Sequence, residues 1–196
     1  MWEIGTENVM SNMPTGNLTE EASALARVIA ATAFAARKHR DQRRKDAEAS
    51  PYINHPIALA DLLINEAGIC DVTVLIAALL HDTIEDTATT VEELSAAFGS
   101  EVASIVAQVT DDKSLPKAER KRQQVAHAAG ISDRAKLVKL ADKICNLRDL
   151  GAAPPAGWNI DRKREYYDWA KQVIDKLRGV NAPLEHRFDT EYARRP

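Results

Sequence analysis

Residues 72–87, VTVLIAALLHDTIEDT, constrain this chain more than any other stretch. From Val72 to Leu80 every residue but Thr73 is apolar, and His81-Asp82 and Glu85-Asp86 follow at once. A run this apolar belongs in a core, yet it ends on four ionisable side chains. Burying charge is costly unless the charge is paired or bound to a metal. Either the element surfaces there, or those groups line a site. A histidine nitrogen beside an aspartate oxygen suits a divalent cation of intermediate hardness. Glu85 lies four residues after His81 and Asp86 four after Asp82, so a continuing helix would stack each pair on adjoining faces. The dipeptide alone is more often a capped helix end than a ligand set, and the rest of the chain has to decide.

The length, 196 residues, suggests one domain with a substantial core. A formal net charge of −3 argues against a protein held mainly by nucleic-acid phosphates. No apolar run approaches the roughly 20 residues that span a bilayer. The N-terminus has no basic start followed by an apolar stretch, so it does not read as a secretory signal. The two cysteines, Cys70 and Cys145, sit in apolar surroundings and offer no disulfide framework, which points to a reducing cytoplasm.

Residues 1–18 mix Gly, Asn, Ser, Thr and Pro without period and read as a flexible extension. Thr19 resembles an N-cap, and Ala22, Leu25, Ala26, Ile29, Ala30, Ala33 and Phe34 form a stripe at helical spacing. Six basic residues between Arg37 and Lys45 follow; they suit a solvated helix end or a clamp for a polyanion equally well. Prolines 51 and 56 hold His55 at a rigid loop-to-helix junction. A helix is expected over 56–66 with Ile57, Ala60, Leu63 and Ile64 inward, ending at Gly68. Asp71 can cap the central run; its β-branched start leaves a strand open, while its alanines, leucines and helical neighbours favour helix. Thr90 begins a capping box, Gly99 ends that helix, and a further amphipathic segment covers 101–109. Pro116 opens a highly charged helix. In residues 132–150 the apolar face carries Asp142 and Asn146 at its edge, where satisfied core polar residues are the plain reading. A last long helix is expected over 159–178, with Trp169, Val173 and Leu177 as its packing stripe. The fold class is all-α: one domain over 19–185, about nine helices around one core, with 186–196 as a C-terminal tail.

Taken together, His55, His81-Asp82 and Asp142 resemble the ordered His, His-Asp, Asp ligands of the HD-domain metallohydrolase superfamily. Further motifs narrow the likeness: RRK at 43–45, PYINHP at 51–56, LLHDTIEDT at 79–87, TDDK at 110–113, ERKR at 119–122 and KLVKLADKICNLRDL at 136–150. They resemble the hydrolase domain of the RelA/SpoT homologues, and above all the small stand-alone alarmone hydrolases, which include the metazoan SpoT homologue. The resemblance implies Mn²⁺-dependent hydrolysis of guanosine 3′-diphosphate 5′-di- or triphosphate, (p)ppGpp, to GDP or GTP plus pyrophosphate. It implies His55, His81, Asp82 and Asp142 as metal ligands, and Glu85 and Asp86 as the acidic pair handling the attacking water. It implies Arg44 and Lys45 near the base and phosphates, and Asn146 near the ribose. His39, His127 and His186 do not complete a dinuclear set, so one metal is expected. The chain departs from the family in two places. The loop before Pro51 is longer than in the large bifunctional enzymes, and Ala49 stands where the small hydrolases tend to have Gly. The implied partner is a small-molecule nucleotide, with no nucleic acid and no membrane, and with homo-oligomer formation left open. Two alternatives stand beside this reading: another nucleotide phosphohydrolase, such as an NADPH 2′-phosphatase, on the same site, or a helical module binding nucleic acid through residues 37–45.

Overall fold

Side-chain caps set most of the helix starts. The computed structural model describes residues 19–196, so the extension expected over 1–18 lies outside the described residues. Ten α-helices are present among the described residues, with no strand beyond an isolated Arg43–Pro51 bridge. One of them, α4, is a single turn, which leaves nine longer helices against the expected nine. Helix α1 (Glu20–Lys38) starts at Thr19, whose hydroxyl accepts from Ala22 N–H. Helix α2 (Asn54–Asp61) runs into a wide turn, Leu62–Glu66, closed by Ala67 N–H to Leu62 C=O at 3.0 Å. Asp71 caps α3 (Val72–Leu80) through Thr73 and Val74 N–H, and α4 (Thr83–Asp86) follows at once. Thr90 caps α5 (Val91–Phe98), and Gly99, at φ +95°, turns the chain into α6 (Ser100–Val109). Helices α7 (Lys117–His127), α8 (Asp133–Ala152), α9 (Ile160–Ile174) and α10 (Ala182–Tyr192) complete the fold.

Helix α3 is the centre. Every residue from Val74 to Leu80 is buried, and α1, α2, α6 and α8 pack around it. A helix apolar on all sides needs neighbours on all sides, and this one has them. Helix α8 is the second axis, touching α2, α3, α6, α9 and α10. Asp142 lies on α8 and His81-Asp82 directly follow α3, so the core itself sets the spacing of three of the four expected ligands.

Several expectations need correction. Leu25 and Ile29 face outward at 63% and 60% exposure, whereas Ala31, Phe34 and Ala35 face inward. In a helix this rich in alanine, small residues allow close approach to α3, and the aliphatic pattern loses its contrast. Ile57 and Ile64 likewise point out, while Leu59, Leu62 and Leu63 are buried, because His55 and Pro56 set the inward face of α2. The last long helix stops at Ile174 rather than 178, and a tenth helix follows after Asn181 caps Leu184 N–H. The boundary expected at residue 185 therefore cuts through α10, whose Phe188 is fully buried. Cys70 is exposed rather than set in apolar surroundings; Cys145 is buried, and both thiols are free. No helix among the described residues is long and apolar enough to cross a membrane.

Candidate active site

The helical hydrogen-bond ladder breaks at His81-Asp82, between α3 and α4, and the break aims both side chains inward. The His81 ring sits against the preceding turn, donating from Nδ1 to Ala78 C=O at 2.8 Å. That bond places a hydrogen on Nδ1 and turns Nε2 toward the two carboxylates. Nε2 lies 2.9 Å from Asp82 Oδ2 and 3.9 Å from Asp142 Oδ1, buried and without a hydrogen-bond donor. From α2, His55 Nε2 comes within 3.3 Å of the same Asp142 oxygen. The His55 and His81 rings are 5.3 Å apart, and ligand atoms of His55, His81 and Asp82 all lie within 4.8 Å of one another. Two imidazole nitrogens and two carboxylates thus converge from α2, the α3–α4 junction and α8.

The electrostatics favour a cation. Burial alone would lower the His81 pKa, yet Asp82 and Asp142 beside it raise it to about 9. Burial opposes ionisation of Asp82 and Asp142, but their partners hold both well below the usual carboxylate range. For Asp82 that partner is His81, and for Asp142 it is foremost Lys143. Burial keeps His55 neutral by lowering its pKa, as a nitrogen ligand requires. This donor set fits one divalent metal: imidazole and carboxylate, with Nδ1 of His81 already oriented by a carbonyl. His55 Nδ1 is buried without such a partner.

Neighbouring groups hold the carboxylates in place. Tyr52 donates its hydroxyl to Asp82 Oδ2, and Asn146 donates Nδ2 to Asp142 Oδ1. Lys143, buried on α8, places Nζ 2.9 Å from Asp142 Oδ2. Glu85 and Asp86 line a recess of about 170 Å³ together with the four ligand side chains. Glu85 accepts from Asp111 N–H at 3.1 Å, with Arg120 Nη1 3.8 Å away, and burial raises its pKa. Asp86 accepts from Gln42 Nε2 at 3.0 Å and pairs with Lys113.

The recess shares Asp86, Tyr52, His55 and Asn146 with a larger cleft of about 620 Å³. Arg44 and Lys45 line that cleft. Arg44 pairs with Asp149, reaches Asn146 Oδ1 at 3.5 Å and lies 5.6 Å from the centre of the Tyr52 ring. Lys45 stands exposed at the cleft's edge. The sequence reading gave no role to Tyr52, Lys143 or Gln42, nor to Trp158 and Tyr166, which form the cleft's aromatic wall. Lys143 had one readable signal, a lysine flanked by Asp142 and Ile144 on an apolar helix.

Residues 31–168 match the family model described as HD domain. The chain belongs to the HD-domain family. HD-domain hydrolases are metal-dependent, and the convergence of His55, His81 and Asp82 is this member's candidate metal site. The chain is 59% identical over 162 residues to a guanosine-3′,5′-bis(diphosphate) 3′-pyrophosphohydrolase, MESH1, of Danio rerio, covering 83% of this chain and 90% of that one. A guanosine-3′,5′-bis(diphosphate) 3′-pyrophosphohydrolase of Vibrio cholerae is 39% identical over 156 residues, 76% of this chain but 20% of that longer one. Among solved structures, a metazoan ortholog of SpoT described as hydrolyzing ppGpp superposes with a TM-score of 0.84. It is 50% identical, and the match covers 87% of this chain and 96% of that one.

Proposed function

We propose that this HD-domain chain hydrolyses (p)ppGpp at the 3′ position, releasing pyrophosphate and GDP or GTP, with Mn²⁺ as its metal. The observation that carries the reading is the His55–His81–Asp82–Asp142 cluster, opening onto a cleft edged by Arg44 and Lys45. In this reading those four side chains hold the ion, which when bound supplies Lewis acidity at a phosphoryl oxygen and acidifies water. Glu85 and Asp86 orient the attacking water and take its proton. Water oxygen bonds to the phosphorus attached to the ribose, and the phosphorus–O3′ bond breaks. The 3′ oxygen takes up a proton, and pyrophosphate departs. Arg44 and Lys45 neutralise spread phosphate charge, which dominates catalysis of phosphoryl transfer. Asn146 stands between the ribose and Asp142, which it already orients. Two free thiols fit a reducing compartment, and we propose the cytoplasm.

The test is an assay of the metal-depleted protein with guanosine 3′-diphosphate 5′-diphosphate, with and without added Mn²⁺, identifying both products. The expected result is Mn²⁺-dependent release of GDP and pyrophosphate in equal amounts. Turnover indifferent to metal would overturn the ion's role. Orthophosphate from NADPH, with no pyrophosphate from the alarmone, would move the site to the alternative substrate.

A further inference from the structure

The Asp86 carboxylate is gripped from two sides. Lys113 pairs with one oxygen from the α6–α7 connection, and Gln42 Nε2 donates to the other at 3.0 Å. The two grips differ in kind. Lys113 is a half-exposed point charge on a flexible stem, whereas an amide hydrogen bond is directional. Gln42 is in turn held from behind, where its Oε1 lies 2.6 Å from His39 Nδ1. An ionised carboxylate only accepts hydrogen bonds, so Gln42 has to present its NH₂ to Asp86. Its carbonyl oxygen then faces His39, whose Nδ1 carries the hydrogen. The donors therefore run one way, from His39 to Gln42 to Asp86.

Nothing in that row is free to swing. His39 is buried at 2% exposure, and its backbone N–H caps α1 on Ala35 C=O at 2.9 Å. Its ring lies 4.8 Å from that of Tyr52 at a 31° tilt. Gln42 N–H donates to His39 C=O at 2.9 Å, and Gln42 C=O accepts from Tyr52 N–H at 3.2 Å.

We infer that Gln42, oriented by His39, is a positioning residue that fixes the rotation of the Asp86 carboxylate for the reaction. The inference rests on the role proposed for Asp86 above. Without the amide, the carboxylate turns toward Lys113, and rate suffers while binding does not.

The test compares single-turnover rate, KM and bound Mn²⁺ in a small set of variants. Gln42→Met keeps the length and removes the hydrogen bond; kcat should fall about tenfold, with KM within about twofold and Mn²⁺ retained. His39→Leu should fall in the same direction. His39→Asn, whose amide nitrogen takes the place of Nδ1, should recover most of the loss. Gln42→Met placed on Asp86→Asn should cost nothing further, because the residue acts only through that carboxylate. Unchanged kcat in Gln42→Met beside a slow Asp86→Asn overturns the positioning role alone. So do multiplicative losses in the double variant, or a His39→Asn as slow as His39→Leu. Near-normal turnover in Asp86→Asn overturns the acidic pair's role and this inference with it. If His39→Leu does not fold, Gln42→Met and the double variant decide, since Gln42 lies outside the apolar core.

Discussion

Asp142 has two duties that a single substitution would confuse. Its Oδ1 faces the nitrogens of His55 and His81, while its Oδ2 holds the buried Lys143 ammonium. Burial alone would lower the Lys143 pKa, and the neighbouring carboxylate raises it instead. Asp142→Ala therefore removes a ligand and also strands a buried cation, a change that costs about 3–5 kcal/mol. Asp142→Asn keeps the shape with less disruption. It keeps an acceptor for Lys143 but not the counter-charge, so both variants should lose Mn²⁺, activity and thermal stability, the alanine more; elemental analysis and circular dichroism melts check this. Stoichiometric metal in a folded Asp142→Ala protein would end the four-ligand reading. Glu85 separates chemistry from binding. Glu85→Gln should lower kcat by about 10²–10⁴-fold, with metal and substrate affinity nearly kept, the signature of a lost general base. Burial, the largest influence on this carboxyl, raises its pKa, and a base works only when ionised. The acid limb of the wild-type kcat profile should consequently lie above the ordinary carboxylate range and be lost in Glu85→Gln.

Between α1 and α2 the chain makes a narrow loop that presents Arg43, Arg44 and Lys45. Arg44 N–H donates to Ser50 C=O at 2.8 Å, and Asp46 accepts from Ser50 N–H at 3.0 Å. Ala49, at φ +51°, is the residue that lets the loop close. The left-handed region costs a residue with a Cβ about 1–2 kcal/mol, partly offset by the smaller backbone entropy of alanine in the unfolded chain. Ala49→Gly should thus stabilise the protein by about 0.5–1 kcal/mol, measured by urea titration, without altering helical content. A destabilised glycine variant would show that the loop is held by something other than this residue. The departure from Gly at position 49 was visible in the sequence, but its consequence depends on a dihedral angle. The same limit runs through the other elements. Thr19, Asp71 and Thr90 act through local hydrogen bonds, so the starts of α1, α3 and α5 were legible. The inward face of α1 was not, because alanines on several sides leave its direction to the partner helix. The four candidate ligands were legible only through their order along the chain, which resembles that of the HD-domain family. Gln42 and His39 act on Asp86 across a long sequence separation, and no local pattern marks such a contact.

At the scale of the whole molecule, α10 closes the fold by packing on α8. Phe188 is fully buried and stacks on Tyr192, with ring centres 6.3 Å apart. Phe188→Ala should cost about 3–5 kcal/mol, a large drop in melting temperature that no detached tail would produce. Phe188 lines neither the recess nor the cleft, so kcat of the folded fraction should stay close to wild type at low temperature. The four candidate ligands have a different global consequence. They come from residues 55, 81–82 and 142, so the unfolded chain holds them far apart and has little grip on an ion. Mass action then makes occupancy a reservoir of fold stability: each tenfold rise in free Mn²⁺ above its dissociation constant adds about 1.4 kcal/mol. Titrating the metal-depleted protein should raise its melting temperature continuously with the logarithm of free ion, in the absence of any nucleotide, and Asp142→Asn should flatten that slope. The cell's manganese supply would then govern how long the protein survives, independently of how fast it turns over.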